Sequence, residues 1–128
     1  MPVDSILDVA RTGMAYERAR MEASSRNIAS ANVPVTPGQQ SKSWQVGADF
    51  ESMLSGVDPL VQQPAGTRQV QDPGHPYADK NGEVAYPAVD MAHEMTTMMG
   101  ASRGYEANVR AFNLLRSMML RGLEIGAK

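Results

Sequence analysis

Two long terminal helices paired like a coiled coil, joined by an extended middle that carries a small β-hairpin, are what this sequence predicts: a mainly α fold. Three observations carry that expectation. Prolines avoid both ends and crowd the middle, apolar residues recur every seven positions at each end, and an Asn-Gly pair centres a strand-like stretch between them. These boundaries divide the chain into residues 1–33, the first helix region, 34–87, the extended middle, and 88–128, the second helix region.

The first helix is expected from Asp4 to about Asn32, a stretch with no proline and one glycine, Gly13. Leu7, Met14, Met21 and Ile28 repeat at heptad spacing, which keeps side chains along one side of a supercoiled helix. The row between them (Ala10, Glu17, Ser24, Ala31) is small or polar, so the pattern is half a seam. Asp4 suits the N-cap, and Val33-Pro34 suits a stop because the residue before proline avoids the α region. The rise per residue makes this rod roughly 40 Å long.

The second helix is clearer. Met91, Met98, Tyr105, Phe112 and Met119 form one heptad row, and Met95, Ser102, Val109 and Leu123 fill most of a second, interrupted by Arg116. Asp90 is placed to cap it, with Glu94 in the first turn, where negative charge suits the helix dipole. Arg116, Arg121 and Lys128 stand toward the other end, and Gly126 suits a C-terminal cap. This rod is ~50 Å long. Gly13, Gly100, Gly104 and Gly122 each weaken their helix by up to ~1 kcal/mol against alanine, so both helices depend on packing and are expected to order on assembly.

Residues 33–87 hold seven of the eight prolines: Pro34, Pro37, Pro59, Pro64, Pro73, Pro76 and Pro87. Within them, 44–54 fits a short helix or a strand equally well. Residues 77–86 read as a hairpin whose Asn81-Gly82 centre favours a type I′ turn.

Composition narrows the function. The 128 residues are 42% apolar but 5% aromatic, with ten methionines, material suited to helix–helix contacts rather than a bulky globular core. A net charge of −2 offers no basic excess for nucleic acid or anionic lipid. Without cysteine there are neither disulfides nor thiolate metal sites. No stretch reaches the ~18 apolar residues of a membrane span. The acidic opening, Val3-Asp4-Ser5, does not read as a cleavable secretory signal.

Candidate chemistry is thin. His93-Glu94 starts like a zinc-protease helix, but position 97 is threonine, and His75 lies in a proline-rich loop; no metal is expected. Asp79-Lys80-Asn81-Gly82 resembles the start of a calcium loop, but the hairpin turn is the simpler reading. Gly100-x-x-x-Gly104, flanked by Arg103 and Glu106, points to close helix packing outside a bilayer. No catalytic triad, phosphate loop or carboxylate pair stands out, so neither enzyme activity nor a cofactor is expected. The second helix carries Leu114, Leu115, Met118 and Leu120 on further faces, and apolar residues on several faces imply several neighbours.

Three motifs carry a resemblance. Asn27-Ile28-Ala29-Ser30-Ala31-Asn32 is similar to the N-terminal signature of bacterial flagellar rod and hook axial proteins, with Ser30 where asparagine is usual. Ala101-Ser102-Arg103-Gly104-Tyr105-Glu106-Ala107-Asn108, then Asn113 and Ser117-Met118-Met119, resembles their C-terminal signature. Asp72-Pro73-Gly74-His75-Pro76-Tyr77-Ala78-Asp79, with Gly82, Val84, Pro87, Val89-Asp90 and Glu94-Met95, is similar to the proximal-rod type. Residues 36–71 depart from that pattern, with the basic aromatic patch reduced to Ser41-Lys42-Ser43-Trp44.

The resemblance implies a subunit of the basal-body rod, the tubular drive shaft that crosses the periplasm, exported through the flagellar type III apparatus without signal cleavage. Its implied partners are copies of itself, other rod proteins, and the membrane-ring and rod-base adaptor proteins. The expected interface comprises Leu7, Met14, Met21, Asn27, Ile28 and Asn32 of the first helix region. From the second it takes Met91, Met95, Met98, Tyr105, Asn108, Val109, Phe112, Asn113 and Met119, with the asparagines hydrogen-bonding between subunits. Two readings compete: a secreted helical hairpin that does not polymerise, and a metal-dependent hydrolase built on His75, Asp90, His93 and Glu94.

Overall fold

A computed structural model describes residues 3–127. Its two long helices are α1, Val3–Ser30, and α3, Met91–Gly126. Between them lie β1 (Lys42–Val46), α2 (Phe50–Leu54), β2 (Leu60–Pro64), β3 (Thr67–Gln71) and β4 (Glu83–Pro87). No helix among the described residues is long and apolar enough to cross a membrane.

Asp90 caps α3 as its sequence context demands: its carboxylate accepts the His93 N–H at 3.1 Å. Two other end signals resolve differently. Asp4 lies inside the first turn of α1, where it meets the helix dipole rather than capping it. Gly126 is the last helical residue and lacks the left-handed backbone of a glycine cap, while Ala127 takes the cap position in the α region.

The helices run antiparallel. Asn27 meets Glu94, Glu17 meets Gly104, and Gly13 meets Asn108, so one register holds along the pair. The buried row of α1 is Ala10, Ala19, Ala23, Ser24 and Asn27, continued by Ala31 just past its end, and the fully buried residue of α3 is Ala101. Of the second row expected for the α3 seam (Met95, Ser102, Val109 and Leu123), Val109 alone is half-buried along the pair. Glu94, Ala101, Asn108 and Leu115 turn inward instead, and Met95, Ser102 and Leu123 are exposed. The cause is steric: small side chains at the centre let the backbones close up, and the long ones flank the seam.

The middle forms two antiparallel two-stranded sheets, β1–β2 and β3–β4. The 44–54 stretch divides, its first part in β1 and its last in α2, whose cap is Asp49. The hairpin expected at 77–86 is corrected. β4 pairs with Thr67–Gln71 rather than with 77–80, in the register Val70 to Val84, and residues 72–82 form the connecting loop. A type I′ turn needs positive φ at both central residues; Gly82 has φ +76°, but no residue other than glycine does. Asp79 settles the loop by accepting the N–H groups of Asn81 at 2.8 Å and Glu83 at 2.9 Å. Those bonds occupy the carboxylate that a calcium-loop reading would use.

Val84 is the largest fully buried side chain, at 0% exposure. Arg68 ties its hairpin to the end of α1, donating to the Ala31 carbonyl at 3.1 Å and lying over the Tyr86 ring at 4.8 Å.

Candidate assembly interface

Asn27 joins three elements. Residues of β1 alternate between facing β2 and facing outward, and Trp44 faces outward with both backbone polar groups. The Asn27 carboxamide fills that edge: its oxygen accepts the Trp44 N–H at 2.7 Å, and its nitrogen donates to the Trp44 carbonyl at 2.9 Å. The second amide hydrogen goes to Glu94 of α3 at 3.1 Å. Asn27 is 5% exposed and has both N–H donors occupied within the chain. Within the chain Asn27 is thus an internal tie between α1, β1 and α3.

Further along, glycine admits a charged side chain. A Cβ on Gly104 would stand 2.6 Å from Glu17 Oε1, so only glycine leaves room for that carboxylate as it is placed. Glu17 in turn accepts Arg20 Nη1 at 2.9 Å. Gly100 has nothing within 4 Å of such a Cβ, so the small-residue pair works through one of its two members.

Arginines of α1 lie over two aromatics of α3 and one of β1. Arg11 lies 5.5 Å from the Phe112 ring centre, Arg18 5.9 Å from Tyr105, and Arg26 4.3 Å from Trp44.

The expected interface residues therefore separate by position. Leu7, Met14, Met21, Ile28, Met98, Tyr105, Asn108, Val109, Phe112 and Met119 are half-buried along the helix pair. Asn108 lies against Gly13, within the pair. Asn32, Met91, Met95 and Asn113 are exposed, and Arg68 reaches the Asn32 side chain at 3.4 Å. Glu17, Glu94, Ala101 and Gly104 were not among the expected set; the signal that marks them is the spacing of small and polar residues between the large apolar ones.

His75 and His93 stand apart, one in the 72–82 loop with its Nδ1 accepting the Tyr77 N–H at 3.0 Å, the other in the first turn of α3. Among the described residues no three potential metal ligands cluster.

Comparison with known proteins fits the helix pair. Residues 80–125 match the family model described as the C-terminal region of flagellar basal body rod FlgEFG proteins. The flagellar basal-body rod protein FlgC of Salmonella typhimurium is 35% identical over 98% of this chain and 99% of its own length. The chain belongs to the FlgC family of flagellar basal-body rod proteins. Family members at greater distance include FlgC of Bacillus subtilis, 29% identical over 94% of this chain and 95% of its own, and of Aquifex aeolicus, 29% identical over 97% of each. In this chain the helix pair extends over both signature regions, with Asn27 in one and Gly104 and Asn108 in the other.

Proposed function

We propose that the chain is a non-enzymatic structural subunit of the flagellar basal-body rod. It polymerises through its helix pair into a tubular shaft that carries torque from motor to hook. One observation carries this reading: the helix pair leaves many large apolar side chains uncovered, among them Met95, Met99, Leu114, Met118, Leu123 and Ile125. A chain of this family with so thin a core gains its remaining burial from neighbours. Those neighbours are further copies, other rod proteins, and the ring and adaptor proteins at the rod base, reached after passage through the type III export apparatus. A non-polymerising hairpin has no use for that surface.

The half-buried seam residues hold the pair in the form that assembles. Tyr105→Ala and Phe112→Ala are expected to abolish rod assembly and swimming while leaving expression unchanged. Normal motility in both variants counts against the proposal. Alanine serves better than aspartate at 112, because an aspartate there would meet the Arg11 guanidinium.

A further inference from the structure

Two uncovered surfaces of this chain differ from each other and match in chemistry. The first is an outer stripe of α3: Arg110, Leu114, Met118, Arg121 and Ile125 follow at spacings of three and four residues and share one face. Leu114 is 63% exposed and Ile125 77%. By the register of the pair, roughly the last two turns of α3, ~12 Å, extend past the start of α1. The second is a groove of ≈ 270 Å³ between α1 and the segment that follows α2, walled by Ala15, Ala19, Met53, Val57 and Leu60.

Charge decides which surfaces belong together. The stripe carries Arg110 and Arg121, with Glu124 beside Ile125; the groove is lined by two acids, Glu22 and Asp58, against one base, Arg18. Among the described residues Arg110, Arg121 and Asp58 make no ion pair within the chain, while Glu22 pairs with Arg26. Both surfaces are open in the same chain, so their union is between copies. Because the two patches are different, the contact is heterologous, and repetition builds an open helical array rather than a closed dimer.

We infer that the outer stripe of α3 in one copy seats in the α1–α2 groove of the next, with Leu114 and Met118 entering the groove and Arg121 facing Asp58. This rests on the rod reading above and names the contact through which copies join. Complementary charge sets the register, and the apolar stripe supplies the burial.

The absence of cysteine allows a clean test in the native bacterium. Val57→Cys and Met118→Cys chains are expressed together in place of the chromosomal copy, swimming is verified, and purified basal bodies are oxidised. A covalent dimer that requires both variants is expected, and the pair Met53→Cys with Leu114→Cys is expected to repeat it. Arg121→Glu should lower the cross-linked yield about tenfold, and Asp58→Arg on the same chain should restore it. Incorporation of both cysteine chains without a dimer from either pair, or cross-linking of Val57→Cys to a different protein, overturns the contact and leaves the rod reading intact. Absence of the wild-type chain from purified basal bodies overturns the rod reading and the contact with it.

Discussion

The side chain of Asn27 stands in for a missing β-strand beside Trp44. Accepting the Trp44 N–H at 2.7 Å and donating to its carbonyl at 2.9 Å, a carboxamide does there what a peptide unit of a neighbouring strand would do. The exposed edge of β1 is thereby closed by a helix, and the same amide reaches Glu94. One residue sets the relative positions of α1, β1 and α3.

Removing that residue should be costly. Asn27→Ala strands two backbone groups of Trp44 and is expected to destabilise the chain by about 1–3 kcal/mol. Asn27→Asp should cost more, since its carboxylate would face the Trp44 carbonyl and Glu94. Denaturant unfolding followed by the fluorescence of Trp44, the single tryptophan, measures both.

The two glycines of the signature region should respond oppositely to alanine. Gly100 has open space around it, so Gly100→Ala is expected to gain up to ~1 kcal/mol from helix propensity. Gly104→Ala has the same propensity gain but must displace the Glu17 carboxylate and loosen its pairing with Arg20. Thermal melts of the two variants should therefore separate, with Gly100→Ala the more stable.

Acid should loosen α2 locally. A hydrogen bond from the Ser52 hydroxyl, and then one from its backbone N–H, hold the Asp49 carboxyl below its ordinary value. A carboxyl lowered in the folded chain stabilises it above the unfolded value, and that contribution fades as pH falls through the lowered one. Protection of the Ser52 amide, relative to its intrinsic exchange rate, is expected to fall over that acidic window and to lose this dependence in Asp49→Asn.

The helices were legible because proline exclusion and heptad spacing are strong local signals, and Asp90 announced its cap. The seam was harder. Counting large apolar residues pointed to Met95 and Leu123, both exposed, as part of the second row. Close approach of two antiparallel helices instead rewards Ala101, Gly104, Ala19 and Ala23, whose smallness reads as weakness in a sequence. β3 gave no alternation to detect, because Thr67–Gln71 carries a single apolar residue, Val70. Its strand form comes from the partner, β4, and from Arg68 tying it to the end of α1. Asn27 belonged to a recognisable signature, yet its partner Trp44 lay in the segment that departs from the family pattern, so the bond between them had no sequence trace.

Electron cryomicroscopy of native basal bodies, at a resolution that traces side chains in the rod, tests the assignment most directly. Rod density that accepts this chain with α1 and α3 antiparallel within one subunit, Asn27 at Glu94 and Glu17 at Gly104, is the predicted result. Density in which α1 pairs instead with α3 of a neighbouring subunit, or a rod without this chain, would contradict it.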